Sequence, residues 1–164
     1  MPLNPNSVGQ SGEYLVASEL CRRGIVATTF SRNMPGFDIL AFNNKKNKVF
    51  KIQVKTVQTG EWQLNAKHYL IFNQELFDSG IQQIVGVTNN HLADYFVFVR
   101  QSTGGYGTAH FYILSTKELQ QIIKNNYGAF LQRNNGQRPR NPKTTHIALE
   151  DADLVAYKDN WDFK

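Results

Sequence analysis

The chain has 164 residues, 41% of them hydrophobic and 19% charged, which suits a single domain over residues 1–164 with a real core and excludes a disordered chain. No apolar run approaches the ~20 residues of a membrane-spanning helix. The opening Met1–Asn6 has neither the basic nor the apolar segment of a signal peptide, and the lone Cys21 makes no internal disulfide, so a cytoplasmic location is expected. Net charge is +5, and it is unevenly spread: residues 150–164 carry five acids and two lysines, leaving 16 basic and eight acidic groups elsewhere. Residues 119–149 contain no acid at all, but Lys124, Arg133, Arg138, Arg140 and Lys143. Such a basic body favours a polyanionic partner.

The first element reads as a helix, capped at Asn6 or Ser7 and stopped by Gly24 after Arg22 and Arg23. Glu13, Val16, Ala17 and Leu20 fall on one stripe of it, which places a glutamate beside apolar neighbours. Ile25–Phe30 reads as a short strand, and Pro35-Gly36 as a turn in the loop that contains Arg32.

Phe37–Phe42 and Val49–Val57 are apolar runs flanking Asn43-Asn44-Lys45-Lys46-Asn47-Lys48, a hairpin signal. A turn centred between Lys45 and Lys46 sets Leu40 across from Lys51 and Asp38 across from Gln53. Alternation along a strand then puts Asp38, Gln53 and Lys55 on one face. Phe37, Ile39, Ala41, Phe50, Ile52 and Val54 fall on the other. An acid, an amide and a lysine at mid-sheet are costly to bury, which makes them the candidate site.

Further along, Glu61–Asn65 predicts a strand, residues 67–86 mix extended and helical spacing, and Asp94–Val99 and Ala109–Leu114 predict two strands. Residues 102–107 form a loop whose glycines lack the Lys-Ser/Thr of a phosphate loop. Ser115-Thr116-Lys117-Glu118 is a capping box opening a helix to about Lys124. Residues 134–145 read as a basic loop and Leu149–Trp161 as a terminal helix. His68, His91, His110 and His146 are scattered, which disfavours zinc.

Helix-borne Glu13, then Gly36-Phe37-Asp38, then Gln53-Val54-Lys55 resembles the PD-(D/E)XK nuclease superfamily. The likeness is greatest to its small bacterial resolvase-like and homing-endonuclease-like branches, which also use Gln-x-Lys. The resemblance implies an α/β, restriction-endonuclease-like mixed β-sheet flanked by α-helices, and metal-dependent hydrolysis of phosphodiester bonds in DNA.

The residue types suit that chemistry. Mg2+ (or Mn2+) takes oxygen ligands and keeps several waters. Asp38 would bind it first, joined by the Gln53 amide, the Val54 carbonyl and Glu13, directly or through water. Lys55 would position or activate the attacking water. Gln53 stands where many members carry an acid, so metal binding should be weaker and one metal more plausible than two. Arg32, Arg133, Arg138, Arg140 and Lys143 would contact nucleic acid. Cutting both strands of a duplex calls for a homodimer or higher homo-oligomer. A catalytically inactive nucleic-acid-binding module on the same fold is the competing reading. A plain interaction domain whose terminal acidic helix meets a partner is a third, and an ordinary half-buried ion pair of Asp38 with Lys55 is the structural alternative for the hairpin.

Overall fold

A computed structural model describes residues 4–30, 34–102 and 108–164; Arg32 and the glycine loop at 104–107 lie outside the described residues. The elements in order are α1 (Pro5–Arg22), β1 (Ile25–Thr29), β2 (Ile39–Asn43), β3 (Lys48–Val57), β4 (Trp62–Asn65), β5 (Leu70–Phe72), α2 (Gln74–Asp78), β6 (Ile84–Val87), β7 (Tyr95–Arg100), β8 (His110–Ser115), α3 (Thr116–Arg133), β9 (His146–Leu149) and α4 (Asp151–Leu154). Single 3-10 turns follow β4 and α4. No helix among the described residues is long and apolar enough to cross a membrane.

The chain divides into two compact units. The first comprises Met1–Trp62, His91–Thr116 and Glu150–Lys164; the second comprises Gln63–Asn90 and Lys117–Leu149.

The first unit is built on a five-stranded sheet in the order β1-β2-β3-β7-β8. β1, β2 and β3 form an antiparallel meander, β3 runs parallel to β7, and β8 returns antiparallel. This is a mixed α/β fold, a five-strand mixed sheet flanked by helices, as expected. Val16 and Leu20 of α1 pack on Ile39, Ile52, Val54, Val97 and Ile113 on one face. The other face is apolar too at its β7–β8 end, where Trp62 meets Phe98 and Tyr112 edge-on, with ring centroids 5.6 and 5.7 Å away. At the β8 edge, α4 and its 3-10 turn cover the sheet, and Lys158 bridges to Tyr112.

Asn4, not Asn6 or Ser7, caps α1: its side chain accepts the Asn6 N–H, and Pro5 occupies the first turn, where its missing N–H costs nothing. Gly24 ends the helix region at φ +76°, a left-handed position that glycine fills without strain. Cys21 lies in α1 and is exposed. The hairpin register is the one the turn predicts, with Leu40 facing Lys51 and Ile39 facing Ile52.

The helix predicted over Leu149–Trp161 is reduced to the four-residue α4 and its 3-10 turn, Leu149 ending β9, and Glu150 and Asp153 form a reciprocal capping box. A cluster of Glu150, Asp151 and Asp153 suits a helix start but does not extend one.

In the second unit, β5 pairs with β6 and β4 with β9. α3 runs nine residues past Lys124 because Leu119, Ile123, Tyr127 and Leu131 repeat every fourth position and are buried. The basic loop after it is tied down. The buried Gln82 amide donates to the Pro142 and Thr144 carbonyls at 2.5 and 2.9 Å, and its oxygen accepts the Tyr127 hydroxyl at 2.7 Å.

Candidate active site

Asp38 stands at a bend immediately before β2. Its N–H donates to the Ile52 carbonyl at 2.8 Å, although Ile39 is the register partner of Ile52. Two successive residues thus address one residue of β3, a bulge-like offset at the mouth of the hairpin. The carboxylate Oδ2 accepts the Val54 N–H at 2.7 Å. Asp38 therefore straddles Gln53 instead of facing it residue to residue, which corrects the simple alternation read from the sequence. Phe37 also leaves the predicted face. It is buried, yet its ring lies 5.7 Å from the Lys51 ammonium and edge-on to Phe30, outside the cluster of Ile39 and Ile52.

Asp38 is half-buried, and burial raises its pKa above the usual carboxylate value; the Val54 N–H and the charge of Lys55 oppose that rise without cancelling it. The carboxylate is thus partly desolvated, with a lysine near enough to be felt. Gln53 and Lys55 are half-buried beside Phe96 and Phe98, their register partners on β7. Within a strand, one residue's N–H and C=O point the same way. The Val54 carbonyl is accordingly aimed to the side of the strand where Asp38 sits.

Glu13 is half-buried on α1, next to Gly12. Gly12 fixes this part of the helix against β3: a Cβ there would fall 1.8 Å from Thr56 Oγ1. That brings the helix turn bearing Glu13 against the strand one residue beyond Lys55. Thr56 Oγ1 itself is buried and has no hydrogen-bond partner among the described residues.

These residues suit a hard divalent cation. A partly desolvated carboxylate, a backbone carbonyl and an amide oxygen are oxygen donors, and a cation would relieve the burial cost on Asp38. Among the described residues, no group of three or more His, Cys, Asp or Glu forms a metal cluster; the donor set is short of carboxylates, in keeping with glutamine at position 53.

Sequence reading missed the support behind Lys55. The Trp62 indole N–H donates to the Lys55 carbonyl at 3.0 Å. The Arg100 guanidinium stacks over the Trp62 ring at 4.6 Å and donates to the Gly60 carbonyl at 2.6 Å. Asp151 receives Arg100 and the Tyr112 hydroxyl, each at 2.5 Å. Burial pulls Asp151 upward, but these two donors outweigh it and hold the carboxyl below its usual range. Tyr112 is pushed up to about 12, by burial first and by Asp151 second. Nothing in the sequence spacing marks these residues as partners.

Of the predicted nucleic-acid contacts, Arg133, Arg140 and Lys143 are exposed in the second unit. Arg138 is engaged: it donates to the His146 carbonyl at 2.5 Å and lies over the Phe130 ring at 5.2 Å.

No family model matches the sequence, and no curated protein matches it. Solved structures do. A bacterial homing endonuclease, I-Ssp6803I, aligns over 95% of this chain and 89% of its own, at 14% identity and a TM-score of 0.50. Hjc of Archaeoglobus fulgidus, a Holliday junction resolvase, aligns over 95% of this chain and 98% of its own, at 16% identity and a TM-score of 0.40. The likeness to the homing endonuclease is one of fold, at an identity too low to carry side chains across.

Proposed function

We propose that this chain is a metal-dependent endonuclease that hydrolyses phosphodiester bonds in DNA. The observation that carries the reading is the Asp38 carboxylate, partly desolvated, pinned to the Val54 N–H and lying within the field of Lys55. The fold shared with an endonuclease supports it.

Asp38, the Val54 carbonyl, the Gln53 amide and Glu13 would hold Mg2+ or Mn2+. When bound, the ion supplies Lewis-acid charge that polarises the phosphate and acidifies a water. The chain's own residues do the remainder. Lys55 offers its ammonium to the attacking water and to the negative charge that develops on phosphorus. The half-buried position of Lys55 beside Phe98 limits competing solvent. Trp62, bonded to the Lys55 carbonyl, fixes the strand from which that ammonium projects. Cutting both strands of a duplex would take a homodimer or higher homo-oligomer.

The test is plasmid nicking with Mg2+ or Mn2+. Asp38→Ala and Lys55→Ala should abolish it with unchanged circular dichroism; equal activity in both variants would overturn the reading. The shortage of carboxylates around Asp38 favours a second reading, a catalytically inactive DNA-binding module on this fold. It predicts salt-sensitive binding with no cleavage under any divalent metal.

A further inference from the structure

The excess charge of the chain is concentrated in one unit. The second unit holds seven lysines and arginines against three acids, whereas the first holds eleven against ten. Nearly all the net positive charge therefore belongs to the second unit, away from Asp38 and Lys55 in sequence.

That unit also contains a pocket of about 270 Å³, lined by Asn126, Tyr127, Phe130, Arg138, His146 and Ile147 among others. Tyr127 is buried, so Phe130 supplies the accessible part of the aromatic wall. Tyr127 and Phe130 stack at 5.8 Å with an interplanar angle of 27°, and the Tyr127 hydroxyl is anchored on Gln82. Arg138 lies against both rings, its guanidinium 6.0 Å from Tyr127 and 5.2 Å from Phe130. The bond from Arg138 to the His146 carbonyl holds that planar cation in place. Phe130 is only half-buried, so part of its ring borders solvent. Arg133 is one helical turn beyond Phe130 on α3 and is exposed, as is Arg140 after Arg138. No acid interrupts residues 119–149.

A duplex presents phosphates to such a surface but no ring face. An aromatic wall, a planar cation and flanking exposed arginines match an unpaired base with its phosphates. We propose that this pocket receives one unpaired base of the DNA on which the chain acts, with Arg133 and Arg140 on the neighbouring phosphates. The inference rests on the reading above that DNA is the partner, and it places strand grasping in the second unit.

The experiment measures binding of the full chain in EDTA, so that cleavage plays no part. Three probes are compared: a short labelled single strand, an abasic strand of equal length that keeps every phosphate, and the paired duplex. The wild type should bind the single strand more tightly than the duplex, and the abasic strand about ten-fold more weakly than the normal one. In Phe130→Ala, and in Phe130→Leu where the pocket stays filled, most of that abasic penalty should vanish while the salt dependence persists. An abasic strand that binds the wild type as well as the normal strand overturns the pocket, as does a penalty undiminished in both variants. Binding of the probes with no abasic penalty overturns the pocket alone; failure of all three probes to bind overturns the DNA reading with it.

Discussion

Asp38 and Val54 are joined by one of the two bonds that Asp38 makes to β3. The Asp38 carboxylate accepts the Val54 N–H at 2.7 Å, and the Asp38 N–H bonds the residue two before Val54, at the Ile52 carbonyl, at 2.8 Å. The loop that enters β2 is thereby clamped onto β3 where the ladder between them stops. The clamp orients the carboxylate, but the burial that comes with it disfavours its charge.

Replacing Asp38 by Asn should abolish cleavage while leaving the metal-free protein at neutral pH as stable as wild type or more so. The sign follows from the raised pKa. A carboxyl whose folded pKa lies above its unfolded value favours the folded state most when protonated, and that contribution is lost as pH rises through the folded pKa. Asn keeps the oxygen that accepts the Val54 N–H and carries no charge. Thermal melts in EDTA across acid to neutral pH would show the difference growing with pH; a variant that is less stable at every pH contradicts it.

Asp151 should behave in the opposite sense. Its carboxyl, held by Arg100 and Tyr112, sits below the ordinary value of 3.8, so its contribution is present above that pH and is lost as pH falls through the lowered folded value. Asp151→Asn should therefore melt below wild type at neutral pH, with the gap closing in acid. A gap that persists unchanged below the ordinary carboxylate value would contradict the assignment.

Gln53→Glu adds a third carboxylate beside Asp38. Metal titrations should show half-maximal cleavage at lower Mg2+, and melts in EDTA should show a less stable protein because the added charge repels Asp38. An unchanged metal requirement would remove Gln53 from the ligand set.

Trp62→Phe keeps most of a buried ring and removes the donor to the Lys55 carbonyl. Losing one partner of a buried hydrogen bond costs about 1–3 kcal/mol. Beyond that, on the nuclease reading kcat should fall several-fold with KM nearly unchanged, since Lys55 loses its fixed backbone while the residues proposed to contact DNA are untouched. A loss confined to stability would leave Trp62 a packing residue only.

Gly12→Ala should destabilise the fold although alanine is the better helix former. The new Cβ meets Thr56 Oγ1 at 1.8 Å and Cγ2 at 2.9 Å, and overpacking of that kind costs about 1–3 kcal/mol against a helix gain of about 1 kcal/mol. Urea unfolding should recover part of the loss in Gly12→Ala/Thr56→Ala, where Oγ1 and Cγ2 are gone.

The hairpin was legible because β-strands have a strict period of two and its turn is polar: the register of β2 on β3 is the one that Lys45-Lys46 implies. The stripe of Val16 and Leu20 on α1 was legible for the same kind of reason. What alternation could not convey is an offset. Asp38 and Phe37 sit where the ladder ends, and there backbone hydrogen bonds set direction. The length of α3 was hidden by Asn125, Asn126 and Gly128, poor helix formers that tertiary burial of Tyr127 and Leu131 overrides. The candidate site's carboxylate, amide and ammonium were proposed from local pattern, but the residues packed behind Lys55 could not be. Trp62, Arg100, Tyr112 and Asp151 come from three separate stretches that only the folded chain unites.

The first unit is closed by its last residues. Phe163 stacks on Phe50 at 4.5 Å, and the Lys46 ammonium reaches both the Phe163 carbonyl and Asp162 at 2.7 Å. A chain still emerging from the ribosome has its β2–β3 hairpin long before it has the ring that seals it. Contacts of such long sequence separation slow folding, so the hairpin that carries Asp38 and Lys55 would wait, unsealed, until synthesis had run more than a hundred residues further.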